Sequence, residues 1–350
     1  MKKFFKGKRI LITGHTGFKG SWLSEILINW KADITGFSLN APAGPNLFSL
    51  LDLKSRMDSR IGDVRNFNQL KEVFDETEPE IVIHMAAQPI VREGYENPHY
   101  TYETNVMGTV NICECVRTGD SVKSFLNVTT DKVYENTEKQ EGYTEDEKLN
   151  GFDPYSNSKT CSEIITHSYN NSFFKARNIP TSTARAGNVI GGGDFARDRI
   201  IPDCVRSALL AEDIVIKNPY SIRPYQHVLE PLNVYLTIAK SQYENIAFSG
   251  YYNVGPDDED CVSTGTLATL FCEKWGNGLK WVNKSEANAP REANFLKLNS
   301  SKIKKTFGWK PRWNIEKAIE KTVEWTKEYS NDGDMISCTD KQIEDFYMVK

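Results

Sequence analysis

Between Thr129 and Lys159 the chain carries a hydroxyl, an acid, an amine, a phenol and a second amine. The stretch reads Val128-Thr129-Thr130-Asp131-Lys132-Val133-Tyr134-Glu135-Asn136, then a polar loop, then Asp153-Pro154-Tyr155-Ser156-Asn157-Ser158-Lys159. Tyr155 and Lys159 are four residues apart. With Pro154 at a first helical position, the phenol and the amine fall on one helix face. An ammonium beside the phenol favours the phenolate, making Tyr155 a usable base well below its ordinary pKa of about 10. Such a pair removes a proton from an alcohol. A nicotinamide takes the hydride from that carbinol carbon, provided the rest of the chain builds a dinucleotide site.

The start of the chain has the pattern of such a site. A strand-like run over 9–13 leads into Gly14-His15-Thr16-Gly17-Phe18-Lys19-Gly20, and a helical pattern follows at Trp22, Leu23, Ile26, Leu27 and Trp30. Glycines let the backbone approach a pyrophosphate and let the helix pack on the strand, while the helix N-terminus offers free N–H groups. Gly14, Thr16, Gly17, Phe18, Lys19 and Gly20 are the candidate cofactor residues; the alternative is a tight turn. Strands over 34–37, 60–62 and 81–84 alternate with a helix over 70–74, which is βαβ winding. The expected fold is therefore α/β, a Rossmann-type doubly wound parallel sheet with a smaller C-terminal substrate domain.

Within that frame the strand over 34–37 ends at Ser38-Leu39-Asn40. It lacks both the carboxylate that usually holds an NAD ribose and the arginine that marks a 2′-phosphate. Asp63, followed by Val64, is a candidate for the adenine amino group or a helix cap before Asn66. Met85-Ala86-Ala87-Gln88 closes the fourth strand with small residues that let a flat ligand lie close, or that simply pack. A long helix is predicted over 97–117, carrying Asn105. A strand over 122–128 delivers Thr130-Asp131-Lys132 at its carboxyl end, where open α/β sheets place ligands. Asp131-Lys132 is otherwise a surface ion pair worth little.

The catalytic helix is predicted to run from Pro154 to about Lys175, followed by a strand over 181–185 and the glycine-rich loop 186–194. Beyond it the alternation loosens. Residues 1–186 are expected to form the NAD-binding part with the catalytic Thr, Tyr and Lys; 187–350 mainly form a substrate domain, with segments returning to the sheet. Further elements are expected at 251–254, 264–275 and 313–325. The last twenty residues are polar and carry no readable role.

Composition sets the outer limits. The chain has 350 residues, 39% hydrophobic and 26% charged, with a net charge of -4. That is enough to bury a large core, and the even charge argues against nucleic acid or a membrane surface as partner. A small-molecule substrate is expected. The seven cysteines form no CxxC pair, which suits a reducing compartment. No signal-type segment or membrane-length apolar run is present, so a cytoplasmic setting is expected. The five histidines are scattered without paired spacing, so no protein-bound metal is expected.

With these residues in hand, the chain resembles the extended short-chain dehydrogenase/reductases, and within them the nucleotide-sugar 4,6-dehydratases. The likeness covers nearly the whole length. It rests on Gly14 to Trp22, Ala86-Ala87-Gln88-Pro89 with Val91-Arg92, Asn105-Val106-Met107-Gly108-Thr109 and Thr130 to Asn136. Arg185 to Asp194 and Arg223-Pro224-Tyr225-Gln226-His227-Val228-Leu229-Glu230-Pro231 complete it. Departures are Val133 where a cysteine is usual, Thr130 where a serine is common, and Lys139-Gln140-Glu141 in place of a tryptophan-rich patch. The dTDP-glucose dehydratases carry Asp-Glu where this chain has Asp131-Lys132.

The resemblance implies NAD as cofactor and CDP-glucose as substrate, converted to a 4-keto-6-deoxy sugar that feeds deoxysugar synthesis for surface polysaccharide. It implies that Tyr155, with Lys159 and Thr130, takes the C4 hydroxyl proton, that Lys132 takes the C5 proton, and that Asp131 protonates the departing C6 oxygen. Val64, Ala86, Ala87, Gln88 and Asn105 join the cofactor set. Gln88, Asn188, Arg199, Arg223 and Arg291 are expected to hold the nucleotide sugar. A homodimer through the two long helices is expected on the same likeness. The rivals are an inverting UDP-N-acetylglucosamine 4,6-dehydratase, which shares an Asp-Lys pair but lacks the VIGGGD and RPYQHVLEP stretches, a nucleotide-sugar 4-epimerase or reductase, which needs neither Asp131 nor Lys132, and a non-catalytic dinucleotide sensor, which typically loses the tyrosine or the lysine.

Overall fold

The computed structural model describes residues 1–285 and 295–349. Its frame is a seven-stranded sheet: β1 (Arg9–Thr13), β2 (Asp33–Ser38), β3 (Asp58–Ile61), β4 (Ile81–His84), β5 (Ser124–Thr130), β6 (Thr181–Ala186) and β7 (Tyr251–Val254). The spatial order is β7-β6-β5-β4-β1-β2-β3, with every pairing parallel. The winding reverses between β1 and β4, so a crevice opens at the carboxyl ends of those strands. The expected doubly wound fold is what the chain adopts.

Helix α1 (Phe18–Asn29) buries Trp22, Leu23, Ile26 and Leu27 on the sheet. Its close approach depends on two glycines. Gly14 has a φ of 81°, and a Cβ there would lie 2.8 Å from the Ala86 backbone nitrogen. A Cβ on Gly20 would lie 2.2 Å from the Gly14 carbonyl oxygen. Helix α2 (Phe67–Thr77) is capped by Asn66, whose side chain accepts from the Gln69 N–H.

The helix expected over 97–117 forms as α3 (98–118), with a π turn at Glu103–Met107 between two α-helical parts. A polar residue inside it is the reason. The Asn105 amide donates to the Gln88 carbonyl at 3.0 Å and to Ser158 Oγ at 2.8 Å, and its Oδ1 accepts from the Gln88 N–H at 2.8 Å. A widened turn lets this buried amide face two partners. Helix α4 (Pro154–Tyr169) starts at Asp153, which accepts from the Ser156 N–H, with Pro154 in the first turn. Its α-helical part ends at Tyr169, and the helix runs on through a π turn at Asn170–Phe174 and a 3-10 turn at Lys175–Arg177, as far as expected.

Strands β5 and β6 are two-faced. Leu126, Val128, Ala184 and Ala186 point into the larger apolar core. Alternate positions Asn127, Thr129, Thr183 and Arg185 are buried but polar. They lie against α4.

Past residue 187 the chain is interleaved with the first part. Helix α5 (Ile200–Leu209), α7 (Thr264–Trp275) and α8 (Ile315–Ser330) enclose a core of their own, including Ile201, Val205, Leu267, Phe271 and Ile319. Helix α6 (Leu229–Glu244) and β7 belong instead to the first core, as do Val228, Leu232 and Tyr252. The last residues form α9 (Met335–Met348), capped by Asp334 and packed through Met335, Ile343 and Phe346 into the core beneath α1. Asn29 Nδ2 donates to Asp340 Oδ1 at 2.6 Å across that contact. Its buried face includes Thr339 and Gln342, which is why its amphipathic pattern reads as polar.

Gly20→Ala is expected to destabilise the protein by about 1–3 kcal/mol, because α1 has to move off the glycine turn. Urea unfolding followed by circular dichroism measures it.

Candidate active site

Five candidate catalytic residues converge at the carboxyl ends of β4, β5 and β6. Thr130 is the last residue of β5, and Asp131-Lys132-Val133 is a single 3-10 turn capped by it. The Thr130 hydroxyl donates to Asp131 Oδ1 at 2.9 Å and accepts the Lys132 N–H at 3.4 Å. The same hydroxyl lies near enough to the Tyr155 phenol to oppose the rise that burial gives it. Tyr155 and Lys159 share one buried face of α4, and Lys159 Nζ donates to the Val128 carbonyl at 3.1 Å. One hydroxyl thus joins the phenol to the acid.

Asp131 is 1% exposed. Burial holds its carboxyl above the usual range, only partly opposed by the Lys132 charge, the Thr130 hydroxyl, Arg223 and Lys19. Its Oδ2 has no hydrogen-bond partner among the described residues. Gly187 makes the room: a Cβ there would sit 3.1 Å from that oxygen and 2.7 Å from Pro224 Cγ. Lys132 is half-buried beside it.

Tyr155 departs from the expected electrostatics. Burial pushes its phenol up to about 12, and Arg199, not Lys159, is the cation working against that rise. The Lys159 ammonium is turned to a backbone carbonyl, and is itself held down to about 8 by burial and by the Lys19 charge. Lys19 lies at the floor of the cleft, ringed by protein yet reachable by solvent. Burial and Arg199 lower it to about 8, while Asp131 and Asp194 oppose them. A glycine-turn lysine therefore faces the reacting groups as well as the turn it belongs to.

The residues of the glycine turn fit a dinucleotide. Gly14 and Gly20 leave a backbone cradle that a Cβ would fill, and Gly17 starts α1 with no side-chain cap on its first N–H groups. Phe18 is half-buried and closes on Gly191 from the second half of the chain. Thr16 and Ser38 stand hydroxyl to hydroxyl at 2.8 Å at the end of β2, where an acid is usual. Asp63 is committed to Arg65, accepting from its backbone N–H at 2.9 Å and from its guanidinium at 2.6 Å, while Asn66 is the actual helix cap. Val64 is buried in the core against Gly108, and its carbonyl accepts from Asn111 at 2.8 Å. Ala86 takes its place through Thr13, whose hydroxyl accepts the Ala86 N–H at 3.2 Å; Ala87 follows half-buried.

On the sugar-nucleotide side the picture is mixed. Gln88 is buried with both ends of its amide engaged, donating to Thr101 Oγ1 at 2.8 Å and accepting the Ile90 N–H at 2.6 Å. That fixes the turn after β4. Arg199 donates to Asp194 at 3.0 Å with its guanidinium side half-buried in the cleft. Arg223 is buried and close enough to Asp131 for its charge to be felt there. Asn188 is held through its carbonyl, which accepts the Gln226 N–H at 3.0 Å. Arg291 lies outside the described residues. Glu163, Arg185, Gly187 and Asp194 serve the site and are not singled out by sequence reasoning. Arg185, Gly187 and Asp194 stand in the Arg185 to Asp194 stretch that carries the resemblance, and Glu163 stands one helical turn after Lys159.

Similarity to known proteins agrees with this geometry. The sequence model of the GDP-mannose 4,6 dehydratase family matches residues 11–322. The CDP-glucose 4,6-dehydratase of Salmonella typhimurium is 46% identical, over 99% of this chain and 98% of that protein. The dTDP-glucose 4,6-dehydratase of the same organism is 26% identical, over 91% and 92%. Among solved structures, the UDP-glucose 4-epimerase of Thermotoga maritima with UDP-glucose superposes with a TM-score of 0.79 at 22% identity, covering 91% of this chain and 99% of that one. The dTDP-glucose 4,6-dehydratase of Bacillus anthracis in complex with NAD gives 0.77 at 22% identity, covering 94% and 100%. Sequence match over most of the length, with 46% identity to one member and a shared fold, places the chain in the GDP-mannose 4,6 dehydratase family.

Proposed function

We propose that this protein is a hydro-lyase that removes water from CDP-glucose, using NAD, to leave CDP-4-dehydro-6-deoxy-D-glucose. The observation that carries the reading is Asp131, a buried acid held toward its protonated form with one oxygen fixed and the other unpartnered among the described residues. An epimerase or a simple reductase has no use for such a group. A dehydratase must protonate a departing hydroxyl. The choice of CDP-glucose is supported by the 46% identity to the Salmonella typhimurium enzyme of that name.

Bound NAD supplies the acceptance and return of one hydride. The chain's own residues do the proton work. Tyr155 takes the C4 hydroxyl proton as its phenolate while that carbon is oxidised; the Thr130 hydroxyl and the Arg199 charge offset part of what burial costs that form. The C4 ketone then acidifies the C5 hydrogen, which the Lys132 amine removes. Asp131 gives its proton to the C6 oxygen, which leaves as water. The hydride taken from C4 ends on C6, and a proton returns to C5, so the cofactor ends as it began. Arg199 and Arg223 hold the diphosphate, with Asn188 joining them. Residues 1–186 carry the cofactor and 187–350 mainly the sugar nucleotide, a division that the separate core around Ile201 and Phe271 supports.

The reading extends to a homodimer in the cytoplasm. The outer surfaces of α3 and α4 leave Met107 48% and Ile164 55% exposed, with Phe152 at 91% just before α4. Apolar side chains so placed favour pairing of the two helices with those of a second copy. All seven cysteines are free thiols, which suits a reducing compartment. No described helix is long and apolar enough to cross a membrane.

Incubation with NAD and a panel of CDP-, UDP-, dTDP- and GDP-hexoses should yield the alkali-sensitive 4-keto chromophore with CDP-glucose; turnover with another sugar nucleotide in preference would reassign the substrate. Deuterium placed at C4 should be recovered at C6 by mass spectrometry. Lys132→Ala should still reduce NAD in the presence of substrate while forming dehydrated product at least about 100-fold more slowly. Normal turnover by that variant would remove Lys132 from its role. Sedimentation velocity should report a dimer, and the double change Met107→Asp and Ile164→Asp should give monomers.

A further inference from the structure

The helix carrying Tyr155 and Lys159 is docked by polar groups where a sheet-packed helix ordinarily uses aliphatic ones. Its buried residues include Ser158, Lys159, Ser162, Glu163 and Thr166. Ser162 Oγ meets Thr109 Oγ1 at 2.8 Å and accepts from Asn127 Nδ2 at 2.9 Å; Thr166 Oγ1 accepts from the same amide at 2.8 Å. At the centre is an ion pair sealed from solvent. Glu163 and Arg185 have side chains 1% and 3% exposed, and Arg185 Nη2 donates to Glu163 Oε2 at 3.0 Å. Thr183 donates to the same oxygen at 2.8 Å, and the Thr129 hydroxyl donates to Oε1. Arg185 also bonds the Tyr134 hydroxyl at 2.7 Å and the Glu145 carbonyl at 3.0 Å.

Glu163 sits one turn beyond Lys159 on the same face of α4. Resting on the dehydratase reading above, we propose that Glu163 is a positioning residue for the reaction: clamped to β5 and β6, it sets where α4 stands over the strand ends and places a carboxylate one turn from the Lys159 amine. Hydrogen bonds are directional, so three of them on one carboxylate fix the helix in translation and rotation more narrowly than apolar contact does. The charge argument is independent. Two cations, Lys159 and Arg185, lie in one buried layer, and Glu163 is the carboxylate bonded within it. Lys159 is surrounded by Lys19 from α1, by His84 at the end of β4, and by Tyr155 and Glu163 from its own helix. The turn after β5 brings Asp131 in through Thr130. Helix α3 brings the neutral Asn105 and Thr109 to this face, and bonds α4 nearer its ends through Tyr102 to Asn157 and Glu114 to Tyr169. Among them Lys19 opposes the Lys159 charge and Glu163 supports it.

The sign follows. Lys159 titrates below its ordinary range, so its charge is lost as pH rises through about 8. Without Glu163 the charge is lost at lower pH. Glu163→Gln keeps shape and one acceptor while removing the charge. In the NAD-free protein, the 13Cε shift of Lys159, assigned by comparison with Lys159→Ala, should titrate about one pH unit lower in this variant. The alkaline limb of kcat with CDP-glucose should move the same way, with KM changed less than kcat. Thr183→Val removes a tether and no charge; it should lower the melting temperature and leave the Lys159 titration in place. Should Glu163→Gln not fold, the double change Glu163→Leu with Arg185→Met removes both charges together, which a core tolerates better than a broken pair, and it should show a downward shift smaller than that of Glu163→Gln, because a cation is lost as well. A Lys159 titration that stays at the parent value in the variants lacking Glu163 overturns the proposal. A parent protein that titrates as described yet turns over no sugar nucleotide would overturn the functional reading and leave the role of Glu163 toward Lys159 standing.

Discussion

The polar seam between α4 and the β5–β6 pair is the contact on which the rest depends. It joins the helix that carries the phenol and amine to the strand that carries the hydroxyl and acid. Were that seam apolar, α4 could slide by a fraction of an ångström at little cost, because dispersion and hydrophobic burial are non-directional. Here Asn127, Thr129, Thr183 and Arg185 present donors at alternate positions of two strands, and Ser162, Glu163 and Thr166 receive or return them at helical spacing. A register shift would leave several buried polar groups unpaired, each costing about 1–3 kcal/mol. The helix is held at one height.

A second constraint is desolvation. Asp131, Lys19, Lys159 and Tyr155 are each displaced toward their uncharged form, and burial is the leading cause in every case. The ground at the strand ends is therefore chemically different from the surface a few residues away. An acid there can keep a proton to give, and an amine can lack one. Arginines resist this pull because their ordinary pKa is so high. Arg199 and Arg223 accordingly remain the fixed positive charges of the cleft.

How legible was this from the residues in order? The sheet was, because β1 and β4 are apolar runs closed by small residues and joined by patterned helices. Thr130, Asp131, Lys132, Tyr155 and Lys159 were also legible as a group, since local spacing puts them on one strand end and one helix face. The π turn in α3 was not, since it answers to Asn105 meeting Gln88 and Ser158, partners 17 and 53 residues away. Nor was α9, whose buried face includes Thr339 and Gln342 and whose seat beneath α1 exists only once the chain has closed.

The sequence by itself therefore determined the winding order, the glycine turn and the identity of the groups that gather at the strand ends. These follow from periodicity and from side-chain chemistry within a few residues. Only the tertiary structure decided their electrostatic state: that Lys159 is turned to the Val128 carbonyl, that Arg199 and not Lys159 opposes the burial of Tyr155, and that Lys19 reaches the reacting groups. A pKa reports the surroundings of a group in three dimensions, and those surroundings are assembled from segments far apart along the chain.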